Sequence, residues 1–187
     1  MQRCHWSETS DEMRAYHDTF WGTPIHDDQA LFAKLILDMN QAGLSWATIL
    51  KKTANFYEAY ANFDIQQVAA FDQEKFLELM NNPGIIRNRL KVQAAIVNAQ
   101  KVIEIQAEFG SFDSYIWSFT NGKVEQHHIV TEQDIPTRND LSDRMSKDMK
   151  RRGMKFIGTT TIYAYLQAIG VINDHAQACF RYAALLD

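Results

Sequence analysis

Apolar side chains recur at helical spacing along most of this 187-residue chain, while alternating runs of β-branched residues are scarce. That pattern predicts an all-α fold of eight or more helices. In "DDQALFAKLILDM", Leu31, Leu35 and Met39 follow one another four apart on one helix face, with Asp27 or Asp28 placed to cap it. "SWATILKKTANFYEAYANF" reads as a second amphipathic helix capped by Ser45, close to the first because only "NQAG" joins them. Asp64 and Asp72 precede two shorter helical runs, and Pro83 and Gly84 in "NNPGIIRN" then interrupt the pattern. A long helix is predicted from about Arg87 to Phe109, ended by Gly110. Residues 119–139 read as an irregular surface excursion. Helices are expected again over 140–153 and 159–170, closed by Gly153 and Gly170, and a last one from near Asn173.

A chain of this length predicts one domain over residues 1–187, or two small lobes around a shared core. With 46% hydrophobic residues it can bury that core, and no low-complexity tract suggests disorder. There is no signal-peptide pattern, and "LFAKLILDM" is too short and too polar to cross a bilayer, so a cytoplasmic protein without membrane contact is expected. A net charge of −4 argues against general DNA coating but leaves room for a local basic face.

The chain has two cysteines, one near each end, and each has a histidine within reach. In a reducing compartment a disulfide between them is disfavoured. His175 and Cys179, four apart in "NDHAQAC", would share a helix face, while Cys4 and His17 lie thirteen apart in the first segment. Two thiolates and two imidazoles make a complete tetrahedral zinc set with no open position, which would make the ion structural. The alternative is that both cysteines are buried apolar residues and both histidines are hydrogen-bonded groups. His127 and His128, being adjacent, point in different directions and read as a solvated pair.

Two basic regions invite a phosphate. "LMNNPGIIRNRLKVQA" places Gly84, Arg87, Arg89 and Lys91 around a turn between two helices, and a helix N-terminus offers free N–H groups to an anion. An ordinary helix-turn-helix connection explains the same residues equally well. "KDMKRRGMKF" carries Lys147, Lys150, Arg151, Arg152 and Lys155, a run that complements a helix dipole and faces water.

Taken in order, "RCHW", "AYHDTFWG", "QAGLSW", "ILKK", "GIIRNRLKVQAAIVNA", "WSF", "IPT" and "KFIGTTTIYAYLQAIGVINDH" resemble the blocks of the 3-methyladenine DNA glycosylase I family, from one end of the chain to the other. The resemblance implies a helix-hairpin-helix glycosylase fold and a bacterial base-excision repair enzyme. It further implies a structural zinc held by Cys4, His17, His175 and Cys179. Its partners would be alkylated double-stranded DNA and the free 3-methyladenine product, and the chain is expected to act as a monomer.

The same resemblance implies that Trp6, Tyr16 and Trp46 line a pocket for a flipped base, beside Asp38. On helical spacing Asp38 falls with Leu35 and Ala42 on an inward face, where an unpaired carboxylate is costly. N3-methylation gives adenine a positive charge and makes it a good leaving group, so a carboxylate and aromatic faces that favour a cation can drive hydrolysis by water. No protein nucleophile, and hence no lyase step, is expected. Gly43 and Leu44 would supply the wedge that fills the gap left by the flipped nucleotide. Two positions depart from the family pattern: Asp38 stands where Glu is usual, and Phe20 also where Glu is usual. A pocket repacked around the shorter acid by Met39 and Asn40 is expected. The competing reading is a catalytically weakened relative that binds alkylated DNA or a free modified base.

Overall fold

The computed structural model describes residues 1–186. Among them are ten α-helices: α1 (Asp11–Thr19), α2 (Asp28–Gln41), α3 (Trp46–Ala59), α4 (Ile65–Ala69), α5 (Gln73–Asn81), α6 (Arg89–Phe109), α7 (Phe112–Ser118), α8 (Asp140–Arg151), α9 (Thr159–Ala168) and α10 (Phe180–Ala184). Short polar side chains start most of them by accepting an otherwise orphaned N–H. Asp27 caps α2, Ser45 caps α3, Asp64 and Asp72 cap α4 and α5, and Asn88 caps α6. Asp28 has a different task. Its carboxylate accepts from the N–H groups of Phe112 and Asp113 at 2.9 and 2.8 Å, so it closes the start of α7 instead. Gly110 ends α6 at φ +86°, a conformation that favours glycine.

α2 is buried on every side from Leu31 to Asn40, so it forms the axis of the bundle rather than a surface helix with one apolar stripe. α3, α6, α7 and α9 pack around it. Between α5 and α6 the chain makes a tight hairpin. The Asn82 side chain accepts from the Gly84 N–H at 2.8 Å, and Lys52 donates to the Pro83 and Gly84 carbonyls at 2.9 and 3.3 Å. A Cβ at Gly84 would stand 2.9 Å from Asn82 Oδ1 and 3.0 Å from Asn55 Cβ, so the turn is closed to larger residues.

The expected last helix does not form where the sequence suggested. Ile172–Asn173 is a strand, β2, paired in parallel with β1 (Glu125–Gln126), and Ala176 bridges Ile129. α10 starts only at Phe180. Local hydrogen bonds explain the change. The Asn173 side chain accepts from the His175 N–H at 3.3 Å, and Asp174 is held by Tyr163, Gln167 and His127 at 2.5 to 2.6 Å. Such side-chain bonds compete with the helical ladder. The 119–139 segment is correspondingly more than an excursion, since it carries β1 and the buried Ile129. His127 is half-buried between Asp174 and Glu125, at 2.6 and 3.0 Å, and only His128 is exposed.

Candidate functional site

Cys4, His17, His175 and Cys179 come together in a buried cluster, with their donor atoms all within 4.8 Å of one another. Cys179 Sγ lies 3.4 Å from His17 Nε2 and 3.6 Å from His175 Nδ1, and Cys4 Sγ lies 3.6 Å from His175 Nδ1. Metal bonds of ~2.1 Å to nitrogen and ~2.3 Å to sulfur at tetrahedral angles span edges of about 3.5 Å, so this donor set fits a metal ion. The remaining ring nitrogens are anchored. His17 Nδ1 donates to Asp18 at 2.8 Å, Arg3 in turn holds Asp18, and His175 Nε2 donates to the Trp21 carbonyl at 3.1 Å. These partners fix the ring orientations. Burial pushes His17 below the ordinary histidine range and His175 down to about 3, which keeps both rings neutral and able to donate a lone pair. Gly22, at φ +80°, leaves the necessary room: a Cβ there would meet His175 Nε2 at 2.7 Å. The cluster does not depend on a shared helix face. A strand and a turn deliver His175 and Cys179.

Beside it opens a cavity of about 230 Å³. Trp6, Tyr16 and Trp46 form its aromatic walls, with ring centroids 6.4 Å apart for Trp6–Tyr16 and 5.0 Å for Tyr16–Trp46. Trp6 also packs edge-on against Trp21 and His17, at 5.0 and 5.4 Å. Because Trp6 follows Cys4 by two residues and Tyr16 precedes His17, fixing the cluster fixes these walls. Ile135, Ala164 and Gln167 are among the other residues that line the cavity.

Asp38 lines the cavity and is buried, as its helical position requires. It is not unpaired, however. Lys34, one turn earlier on α2 and itself buried, donates to Asp38 Oδ1, while Oδ2 has no partner. Burial pushes the Asp38 carboxyl up and the Lys34 ammonium down, each shift opposed by the other's charge. The expected repacking by Met39 and Asn40 finds no support in their contacts, since neither lines the cavity. Met39 sulfur accepts from Asn98 at 3.7 Å, Asn40 donates to the Ile36 carbonyl at 2.8 Å, and both stay in the core.

Gly43 and Leu44 lie at the mouth. Gly43 has φ +81° with open space where a Cβ would stand, and Leu44 is 43% exposed. A shallow cavity of about 210 Å³ runs past both and shares Asp38, Gln41 and Ala164 with the aromatic pocket. Lys91 is a correction to the phosphate-facing group: it is buried, and its Nζ donates to the Asn40 and Ala42 carbonyls at 2.8 and 2.7 Å, bracing the loop from behind. Arg87 and Arg89 are exposed beside the hairpin, and Arg89 also covers the Phe76 ring at 5.1 Å. Of the second basic run, Arg151 and Arg152 pair with Asp148, and Arg152 also with Glu108 at 2.6 Å.

Reading the sequence missed Lys34, Ile135, Ala164 and Gln167. The spacing of Lys34 and Asp38 at i and i+4 and of Ala164 and Gln167 at i and i+3 is the only local trace of them.

The family described as methyladenine glycosylase matches residues 6–182. The DNA-3-methyladenine glycosylase 1 of Escherichia coli K12 is 41% identical over 182 residues, which is 97% of each chain. A crystal structure of 3-methyladenine DNA glycosylase I superposes with a TM-score of 0.93 at 41% identity, covering 96% of this chain and 98% of the other. The Staphylococcus aureus enzyme, solved to explain its recognition of 3-methyladenine, superposes with a TM-score of 0.92 at 36% identity, covering 96% and 95%.

Proposed function

The chain belongs to the methyladenine glycosylase family, and from that membership we propose that it is a DNA-3-methyladenine glycosylase that hydrolyses the bond between N3-methyladenine and its deoxyribose in alkylated DNA. The observation that carries the assignment of roles is the aromatic pocket around a buried carboxylate with one free oxygen. A flipped purine would lie among Trp6, Tyr16 and Trp46, whose π-faces attract a cation. Asp38 would accept from the exocyclic amine and offset the positive charge, leaving water to complete the hydrolysis.

Leu44 would enter the duplex where the base has left, carried on the open backbone at Gly43. The hairpin at Gly84, with the exposed Arg87 and Arg89, would hold the phosphate backbone. The four-residue cluster would hold zinc, since zinc accepts Cys and His equally and four protein ligands leave no position for a reacting water. Its task is to clamp Trp6 and Tyr16 in place. A repair enzyme of this kind works on DNA in the cytoplasm, and among the described residues no helix is long and apolar enough to cross a membrane.

Incubation with methylated duplex DNA tests the assignment. Free 3-methyladenine should appear in the supernatant, and damaged DNA bound without base release would instead mean that the Lys34–Asp38 pair has left only a binding protein.

A further inference from the structure

Lys34 occupies the place that the pocket otherwise offers to a ligand. Its ammonium is paired with Asp38, lies 4.0 Å from the centroid of the Trp46 ring and stands 5.8 Å from that of Tyr16. An acidic acceptor and two aromatic faces are the features that favour a cationic base, and here a cation of the chain itself already uses them. Resting on the reading of this pocket as the 3-methyladenine site, we propose that Lys34 is a specificity-determining residue, a resident cation that the methylated base must displace before Asp38 can read it.

Charge counting supports the exchange. Lys34 and Asp38 together are neutral. A cationic base added to the intact pair would leave one uncompensated positive charge in a buried site, which is strongly disfavoured. A base that replaces the ammonium restores neutrality. The fold also provides somewhere for the displaced arm to go. A second cavity of about 500 Å³ lies on the far side of Tyr16 and Trp46, Lys34 lines it as well as the first, and Glu12 stands in its wall as an alternative partner. The flexible four-carbon stem of a lysine suits such a swing. Phe20, which also lines that cavity, stacks on Tyr16 at 5.6 Å. Phe20 thus shares that cavity with Lys34, and Asp38 pairs with Lys34 directly. In this chain the methylated base therefore competes with an intramolecular cation.

Lys34→Met removes the charge and keeps nearly the same volume, whereas Lys34→Arg keeps the charge. The kcat/KM for release of 3-methyladenine from methylated duplex DNA should rise tenfold or more in Lys34→Met, and Lys34→Arg should show no such rise. A Lys34→Met enzyme no faster than a wild type that does release the base overturns the proposal while leaving the enzyme assignment standing. Absence of base release from wild type and both variants overturns the assignment itself. Should Lys34→Met fail to fold, the wild-type protein crystallised with 3,9-dimethyladeninium, which keeps the positive charge that the free base loses on release, decides. Lys34 Nζ should then have left Asp38 for the second cavity, and a base bound beside an intact Lys34–Asp38 pair would refute the exchange.

Discussion

Asp38 sits on the axis helix with one oxygen engaged by Lys34 and the other without a partner, so replacing it tests two properties at once. Asp38→Asn should weaken 3-methyladenine binding by ~1.5–3 kcal/mol, the scale of a hydrogen bond to a charged group, as read by calorimetry. It should also lower the melting temperature, because a buried ion pair broken on one side costs roughly 3–5 kcal/mol. A variant that melts early but binds normally would remove Asp38 from base reading. The inward position of Asp38 was legible in the sequence, since Leu35 three residues earlier puts it on the same helical face. Lys34 was not legible. Lysines are almost never fully buried unless paired, and nothing in the sequence shows that α2 is enclosed on every side. Lys91 misled for the same reason: its charge suggested a phosphate, and its burial makes it a brace for the Asn40 and Ala42 carbonyls.

The turn from α2 to α3 carries Leu44 exposed beside the pocket mouth, where it contributes little to the core. Leu44→Ala should therefore leave the melting temperature within about a degree of wild type, as for most surface changes. Excision from duplex DNA should fall while the affinity for free 3-methyladenine holds. Equal losses in both assays would return Leu44 to a packing role. The β1–β2 ribbon makes a second element-scale prediction. Hydrogen bonds from His127 to Asp174 and Glu125 raise its pKa to about 9 from the ordinary 6.5, against the opposing effect of burial. The folded state therefore binds the proton more tightly than the unfolded chain. Its stabilisation is full below about pH 6.5 and is lost as pH rises through about 9. Wild-type melting temperature should decline across that window, and His127→Gln should flatten the decline. Most helices were legible because their caps are local: Ser45, Asp64 and Asp72 announce α3, α4 and α5 from within three residues. The ribbon was not, because Ile172 pairs with Glu125 far back along the chain, and local periodicity carries no record of a distant partner.

Across the whole molecule, the Cys/His cluster ties the first segment to the last. Protein purified without added metal should contain about one zinc per chain by elemental analysis, and Cys179→Ser should lose the metal and melt several degrees earlier. Folded, active protein free of metal would contradict this. Because Trp6 and Tyr16 are positioned through Cys4 and His17, stripping the metal should also weaken binding of 3-methyladenine, although none of the four ligands lines the pocket. The separation of the ligands bears on synthesis as well. Cys4 and His175 are 171 positions apart, so the residues around Cys4 leave the ribosome long before those around His175 and must wait for them before they can settle. The helices around α2 can assemble meanwhile, but the aromatic walls carried by the first segment cannot be fastened. A nascent chain thus remains unable to grip a base until the segment carrying His175 and Cys179 has emerged, and one terminated before that segment would be released without ever having acquired its reading site.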